Sequence, residues 1–294
     1  MHEQNQPHRL AQGVALVCNA HGREFIEITH SLLRARISIE GAQIISHVPV
    51  GQEPLLWLSP EEPELPGIPL RGGIPLCWPW FGDDRKGPAH GIARISKWEI
   101  EDVAVSESSV RIILVLPQAE ITRQLPAEQW ELKVELLLSD ELEVRLTTTN
   151  CGTQPQPLSQ ALHTYLPVSD IHHSRIVGLN GLSYVDQLTG KVTEQQGDVQ
   201  ITEEVDRIYF GDIGTLRLLD GDNGRIDVEC AGSCSSVIWN PWQEKARRLK
   251  HFPPEGYRQM LCIETANAGP DTRHLQPGET QILTTRISRY RRSD

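Results

Sequence analysis

The sequence has no apolar run long enough to cross a membrane, and its first ten residues lack the apolar core of a secretory signal peptide. It also has no excess of basic residues, because 28 Lys and Arg stand against 39 Asp and Glu, for a net charge of −11. Binding to nucleic acid or to an anionic membrane generally needs a basic face. We therefore expect a cytoplasmic protein with neither a nucleic-acid nor a membrane partner.

Cysteine is scarce and shows no pairing pattern. Six cysteines are spread over 294 residues, and no Cys-x-x-Cys segment occurs. Cys230 and Cys234 lie four positions apart without a second Cys or His pair of the kind that completes a zinc site. The sequence therefore predicts buried free thiols in a reducing compartment and no metal site.

Helical periodicity is nearly absent, whereas strand periodicity dominates. Apolar and polar residues alternate over 33–40, 130–138 and 142–146, and the turn Ser139-Asp140 joins the last two segments. This pattern predicts half-buried antiparallel strands and a hairpin. A short helix or turn is compatible only with residues 122–129.

No Pro/Ser-rich linker, internal repeat or low-complexity segment divides the chain. All-β domains often reach this length undivided. We predict an all-β fold with a single domain over residues 1–294, built as a large antiparallel β-sandwich of two curved sheets. In such a fold the loops at the rims of the sheets carry the chemistry.

The segment 71–82, RGGIPLCWPWFG, is unlike any strand around it, and HGIAR follows at 90–94. Its prolines remove backbone donors, and its paired glycines allow backbone angles that other residues avoid. The segment therefore predicts a shaped loop. Its aromatic residues offer rigid apolar surface of the kind that stacks on a sugar; they are Trp78, Trp80 and Phe81.

Two arginines belong to these segments. Arg71 and Arg94 can each hold a phosphate or a carboxylate through two parallel hydrogen bonds. The alternative is a buried structural loop whose arginines pair with nearby acids. Arg85 and Lys86 could extend a basic patch, or they could be solvated surface charges.

Two ionisable residues lie in apolar surroundings further along the chain. His163 occurs in SQALHTY, where it could be a core histidine bonded to the backbone. Glu264 occurs in MLCIETAN, where an ionised carboxylate without partners would be costly to bury. If both face one pocket, they form a general acid/base pair; otherwise Glu264 forms an ion pair with an arginine.

Polar hydrogen-bonding groups also occur beside indole rings, in DRIY and in IWNPW. They predict a site for sugar hydroxyls to which Asp206, Asn240 and Trp242 contribute.

In chain order, RGGIPLCWPWFG, HGIAR, ALHTY, DRIY, WNP and ETAN form a set that resembles the aldose 1-epimerase superfamily. The resemblance is strongest to its hexose-6-phosphate mutarotase branch, the glucose-6-phosphate 1-epimerases, and extends from about Ala35 to the C-terminus. It implies a galactose-mutarotase-like β-sandwich, which agrees with the alternation above. It also implies an enzyme that interconverts the α and β anomers of a hexose 6-phosphate, such as glucose 6-phosphate, without a cofactor.

The resemblance assigns roles residue by residue. It places the general base on Glu264 and the general acid on His163, and it associates Arg71 and Arg94 with the 6-phosphate. His90 matches a sugar-contacting histidine, and Asp206 matches an acid that binds sugar hydroxyls or orients His163. The remaining hypotheses are a mutarotase for free aldoses and a non-catalytic carbohydrate-binding protein. A monomer is the default expectation.

Overall fold

The computed structural model describes residues 7–221 and 224–291. The ends of the predicted domain, 1–6 and 292–294, and the turn residues 222–223 lie outside the described residues. The described residues form two short α-helices, α1 (Gln118–Gln124) and α2 (Trp242–Ala246), and single 3₁₀ turns at Ala93–Ile95, Ile171–His173, Gly256–Arg258 and Gly269–Asp271.

Strands make up most of the regular structure. The first twelve are β1 (His8–Ala11), β2 (Val14–Cys18), β3 (Glu24–Thr29), β4 (Leu33–Ser38), β5 (Gln43–Pro49), β6 (Leu76–Cys77), β7 (Glu99–Val105), β8 (Val110–Val115), β9 (Trp130–Leu138), β10 (Leu142–Asn150), β11 (Gln156–Leu158) and β12 (Gln160–Leu162). The next twelve are β13 (Tyr165–Pro167), β14 (Ser174–Val177), β15 (Ser183–Asp186), β16 (Val192–Glu194), β17 (Val199–Gln200), β18 (Val205–Phe210), β19 (Thr215–Asp220), β20 (Arg225–Ala231), β21 (Ser235–Asn240), β22 (Met260–Asn267), β23 (Arg273–Leu275) and β24 (Thr280–Tyr290).

These strands form two large antiparallel sheets and two smaller ones. The nine-stranded sheet has the order β17-β14-β19-β20-β24-β10-β9-β8-β7, and the eight-stranded sheet has the order β16-β15-β18-β21-β22-β12-β6, with β13 also paired to β22. Strands β1 to β5 form a five-stranded sheet in chain order, and β11 pairs with β23. The predicted all-β antiparallel sandwich is confirmed.

The local predictions hold where periodicity is strong. Strands β9 and β10 pair from Leu138↔Leu142 to Asn150↔Trp130, so the predicted hairpin is present. The predicted helix or turn at 122–129 was partly right: α1 covers 122–124 but begins at Gln118, and a turn follows at 126–127. A single domain over 1–294 stays a prediction. No helix in the described ranges has the length and hydropathy needed to span a bilayer.

All six cysteines are free thiols, as predicted. The prediction that they are buried was right for Cys77 and Cys262 and wrong for Cys151 and Cys234, which are exposed.

Strand β22 lies inside the eight-stranded sheet and is buried along its whole length. Successive side chains of a strand point to opposite faces. Thr265 therefore points toward the nine-stranded sheet, where its hydroxyl lies 3.2 Å from the Cys230 sulfur of β20. Glu264 and Cys262 point the other way, and this alternation directs the carboxylate into a cavity.

Candidate active site

The cavity lies on the face of the eight-stranded sheet that Glu264 occupies and has a volume of about 770 Å³. This volume falls within the range of about 300–1,000 Å³ that is usual for small-molecule sites. Six of the predicted site residues line it: Arg71, His90, Arg94, His163, Asp206 and Glu264. Residues up to about 190 positions apart in the sequence thus meet at one site.

His163 and Glu264 are adjacent in this cavity. The distance between His163 Nε2 and Glu264 Oε1 is 3.4 Å. His163 lies between β12 and β13, where its backbone N–H donates to the carbonyl of Pro75. Its ring stacks on that of Tyr165 with centroids 4.8 Å apart and planes 12° apart. The stacking partner and the backbone bond both fix the imidazole toward the carboxyl group.

Burial controls the protonation of this pair. Desolvation raises the pKa of Glu264 well above its usual value and lowers the pKa of His163 well below its usual value. The nearby charges of Arg94 and Arg71 further lower the pKa of His163. Burial therefore disfavours the charged form of each residue, the imidazolium of His163 and the carboxylate of Glu264.

Glycines allow the loop that carries Arg71 to cross the neighbouring strand closely. A Cβ atom on Gly73 would lie 2.1 Å from the carbonyl oxygen of Ile44, and the φ of Gly73 is +63°. No other residue type fits there without strain. The backbone carbonyl of Arg71 accepts a hydrogen bond from the Ser59 N–H, and the backbone N–H of Arg71 donates to Glu62 Oε2. These bonds fix the backbone and leave the side chain at the cavity.

The second loop positions His90 and Arg94. Its Gly91 has a φ of +77°, and a Cβ atom there would lie 2.0 Å from the carbonyl oxygen of Trp78. The ring nitrogen Nδ1 of His90 accepts a bond from the Gly82 N–H at 3.2 Å, which leaves Nε2 as the protonated nitrogen. Burial, with the charges of Arg94 and Arg71, lowers the pKa of His90 to about 3. His90 is thus a neutral hydrogen-bond donor.

Neither cavity arginine forms an ion pair within residues 7–221 and 224–291. Arg94 donates through one terminal nitrogen to the Ala89 carbonyl, while its buried Nε has no protein partner in these ranges. The hydroxyl of Tyr165 lies beside Arg71 and is the main influence that raises the pKa of its guanidinium. Two guanidinium groups without ion-pair partners in the described ranges therefore line the cavity, although the whole chain is acidic.

A model of the aldose 1-epimerase family matches residues 24–288. The chain belongs to the aldose 1-epimerase family.

Two curated relatives cover most of the chain. A protein of Salmonella typhimurium is 29% identical over 252 residues, which are 83% of this chain and 83% of that protein. A protein of Cenchrus ciliaris is 32% identical over 258 residues, which are 83% of this chain and 78% of that protein. Both are named "Putative glucose-6-phosphate 1-epimerase".

The fold is shared with solved structures whose names describe them as mutarotases or mutarotase-like proteins. The crystal structure of a "putative mutarotase" from Salmonella typhimurium has a TM-score of 0.89 at 26% identity and covers 97% of this chain and 96% of that one. A galactose mutarotase-like protein from Clostridium acetobutylicum has a TM-score of 0.73 at 14% identity, which shows a common fold.

In this member of the aldose 1-epimerase family, Asp206 of β18 also lines the cavity. Desolvation raises its pKa to about 6, the nearby Lys245 opposes this shift, and the charges of Glu204 and Asp186 add to it. The Lys245 ammonium lies 4.0 Å from Asp206 Oδ2 and 2.9 Å from Glu204. The Lys245 ammonium therefore interacts with the carboxyl groups of both Glu204 and Asp206.

Asn240 and Trp242 were expected at the sugar site, but the structure does not place them among the cavity-lining residues. The Asn240 amide donates to the carbonyls of Tyr257 and Met260, so these hydrogen bonds connect the end of β21 to the segment that leads into β22. Trp242 packs on Tyr257 and His172. The physical reason is strand alternation: Trp239, the cross-strand partner of Asp206, faces the cavity, and Asn240 therefore faces away.

The expected aromatic wall also differs from the prediction. Trp78 and Trp80 are only 0% and 2% exposed, and their indole N–H groups donate to Thr148 and to the Pro88 carbonyl. They pack in the core and do not line the cavity. Of the three aromatic residues proposed in this loop, Phe81 alone lines it.

Sequence reasoning missed several lining residues: Tyr165, Gln187, Trp239 and Lys245. Tyr165 lies two positions after the identified His163, so strand periodicity would have placed both on one face. Trp239 adjoins the identified Asn240, and periodicity alone does not decide which of the two faces inward. Lys245 lies on the one-turn helix α2, for which the sequence gives no distinctive signal.

Arg85 and Lys86 do not line the cavity. The Arg85 guanidinium is 2.8 Å from Glu128 Oε1, and its charge is therefore already compensated.

A second cavity of about 720 Å³, elsewhere on the molecule, is also lined by arginines. There, however, Arg175 lies 3.4 Å from Asp198, and Arg225 lies 3.1 Å from Asp227. The third arginine of this cavity, Arg291, donates to the Gly51 carbonyl. Because two of its three arginines are paired with acids, whereas both arginines of the first cavity lack such a partner in the described ranges, the first cavity is the better candidate for an anionic ligand.

Within the described residues, one group of side chains has the composition of a metal site. The ligand atoms of His163, Cys262 and Glu264 all lie within 4.8 Å of one another. Two of these residues are the candidate acid/base pair.

Proposed function

We propose that this protein interconverts the α and β anomers of a hexose 6-phosphate, with glucose 6-phosphate as the leading substrate. The observation that carries the proposal is the 3.4 Å contact between His163 and Glu264 in a sugar-sized cavity. Two guanidinium groups without ion-pair partners in the described ranges lie at the same cavity, and the names of the curated relatives agree with this substrate.

In the proposed mechanism, the carboxylate of Glu264 removes the proton from the C1 hydroxyl. The electrons of that O–H bond form the C1=O double bond as the C1–O5 bond breaks, and protonated His163 donates its proton to O5. The open-chain aldehyde rotates about C1–C2. O5 then attacks the other face of the carbonyl, and both proton transfers reverse. Concerted transfer avoids a free alkoxide and a free oxocarbenium ion.

Burial of the pair affects both protonation forms that the mechanism uses. The reactive form is an imidazolium and a carboxylate, which burial makes less favourable than the neutral pair, and ring opening returns the neutral imidazole and the carboxylic acid. Desolvation shifts both pKa values toward the neutral pair. The ring-opening step therefore removes two opposite charges from a buried site, while the total number of protons stays constant.

The two arginines supply the preference for a phosphate in this proposal. A charge-assisted hydrogen bond contributes about 1.5–3 kcal/mol, so two arginines can favour a phosphorylated sugar by several orders of magnitude. His90 Nε2–H and the Asp206 carboxylate then bind sugar hydroxyls. Neither a metal nor a nucleophilic side chain is needed for these steps.

The principal test is anomer exchange of glucose 6-phosphate followed by NMR. Wild-type protein is expected to accelerate exchange over buffer, and the variants His163→Ala and Glu264→Gln are expected to lose the acceleration while they remain folded. A wild-type rate equal to that of buffer would refute the enzymatic proposal and would favour a carbohydrate-binding protein. Equal acceleration with free glucose would favour a mutarotase for unphosphorylated aldoses.

A further inference from the structure

Cys262 is the one residue of the His163, Cys262 and Glu264 cluster that the proposed reaction does not use. It lies two positions before Glu264 on β22, so both side chains point to the same face of the sheet. It pairs across the sheet with Tyr165, whose ring stacks on His163. The Cys262 thiol is therefore held beneath the acid/base pair, where it is completely buried.

We propose that His163, Cys262 and Glu264 form an inhibitory site for a thiophilic divalent cation of the Zn²⁺ or Cd²⁺ type. The combination of imidazole, thiolate and carboxylate is a ligand set that such ions prefer over Mg²⁺ or Ca²⁺. Because two of its three ligands are the proton-transfer groups, a bound ion blocks both transfers at once.

The geometry is close to that of a coordinated ion. Three atoms that lie within 4.8 Å of one another can all lie within about 2.8 Å of a common point, whereas zinc–ligand distances are about 2.0–2.3 Å. Shifts of roughly half an ångström per side chain would complete the site. Three protein ligands leave the fourth position of a tetrahedral ion for water or a sugar hydroxyl.

The buried polar atoms of the cluster also favour an ion. Glu264 is 1% exposed, and its Oε2 has no hydrogen-bond partner in the described part of the chain. The same holds for Nδ1 of His163. Buried polar atoms without partners are costly, and part of that cost is recovered when an ion binds the carboxylate.

Charge balance does not oppose binding in the low-dielectric interior. A divalent ion binds the thiolate of Cys262 and the carboxylate of Glu264, and any protons that these groups hold leave to solvent. The two negative charges of the ligands then offset the two positive charges of the ion. The facing Arg71 and Arg94 weaken cation binding, and the facing Asp206 strengthens it.

The binding test uses Cd²⁺ on the full chain with Cys151 and Cys234 replaced by Ser, because these two thiols are exposed. A thiolate–Cd²⁺ charge-transfer band in the ultraviolet should saturate at one equivalent. Cys262→Ala should abolish the band. The matched control is Cys77→Ala, which removes an equally buried thiol outside the cluster and should leave the band intact.

The inhibition test rests on the proposed function and uses the same proteins. Cys262 is outside the acid/base machinery, so Cys262→Ala should keep anomer exchange without metal but should need at least about 10-fold more Cd²⁺ for half inhibition. A band that persists in Cys262→Ala, or no band in the parent protein, would overturn the metal site. Absence of exchange in metal-free wild type would instead refute the proposed function and would leave the absorption result to decide the metal site.

Discussion

The two faces of β22 differ in how completely their buried polar groups are hydrogen-bonded, although Thr285 Oγ1 on the inter-sheet side also has no partner in the described ranges. On the side of the nine-stranded sheet, buried side chains form a connected chain of hydrogen bonds from Trp78 through Thr148, Gln160 and Asn267 to Asp271. On the cavity side, buried atoms of Arg94, His163 and Glu264 have no partner in the described ranges.

This difference separates structural stabilisation from ligand binding. Each buried polar group without a partner costs about 1–3 kcal/mol, whereas a satisfied one is close to neutral or favourable. The inter-sheet network therefore stabilises the sandwich, and the cavity face loses stability that a ligand can restore. Substitutions on the inter-sheet face should lower the free energy of unfolding, whereas substitutions on the cavity face should lower the rate or the affinity of anomer exchange.

The largest effect is expected for Glu264→Gln. The variant removes the proposed general base, and such groups contribute about 10²–10⁴-fold in rate. Its amide fits the same space without a buried carboxyl group, so the free energy of unfolding should be equal to or greater than that of wild type. NMR exchange and chemical denaturation measure the two quantities. A variant that loses stability but retains its exchange rate would show that Glu264 has a structural role and is not the general base.

Arg71→Gln and Arg94→Gln should come next. Each should raise KM for glucose 6-phosphate by about 10- to 100-fold, since each loses a charge-assisted hydrogen bond of about 1.5–3 kcal/mol. The rate with free glucose should change little. Arg85→Gln is the matched control, because its guanidinium pairs with Glu128 outside the cavity. Equal losses with both sugars would remove the argument for a phosphate.

Gln160→Ala should have the opposite pattern to Glu264→Gln. It breaks the bonds to Thr148 and Asn267 and leaves buried groups without partners. The free energy of unfolding should fall by about 1–3 kcal/mol, while kcat at 25 °C should stay within a few-fold of wild type. A large fall in kcat without a loss of stability would show that the two faces are not independent.

The fold was predictable from the sequence because strand periodicity is a local signal. The hairpin of β9 and β10 follows from alternation on either side of Ser139-Asp140 and needs no knowledge of the remaining chain. The position of α1 was missed by several residues because its few turns leave too little periodicity to fix its ends.

The site was predictable only in part. Spacing alone could not bring His163 near Glu264, since their approach depends on how β12, β13 and β22 pair; the ordered motifs supplied that expectation through the family resemblance. The sequence did not show which face of β21 points into the cavity. Asn240 was predicted to line the cavity, but its neighbour Trp239 does so instead. Cys262 gave no signal because a single buried thiol resembles any other core residue.

The smallest expected effect concerns the pH dependence attributed to Asp206, whose pKa is raised to about 6. If its carboxylate binds a sugar hydroxyl, kcat/KM should rise with pH through about 6. Glucose 6-phosphate also titrates near pH 6, so the informative quantity is the difference between wild type and Asp206→Asn with the same substrate. The variant should lack one ionisation, and its plateau should be about 10-fold lower, which corresponds to one weakened hydrogen bond.

The Asp206 carboxyl group also makes the free energy of unfolding depend on pH. Between its unfolded pKa of 3.8 and its folded pKa of about 6, the folded protein holds a proton that the unfolded chain releases. The free energy of unfolding from this group therefore decreases as pH rises across that interval, by at most about 3 kcal/mol and by less because the side chain is 26% exposed. Denaturation of wild type and Asp206→Asn at pH 4 and pH 7 measures this difference, and the variant should gain stability relative to wild type at the higher pH. If the variant instead gains stability relative to wild type at pH 4, then the attraction of Lys245 outweighs desolvation and stabilises the ionised Asp206 carboxylate in the folded protein.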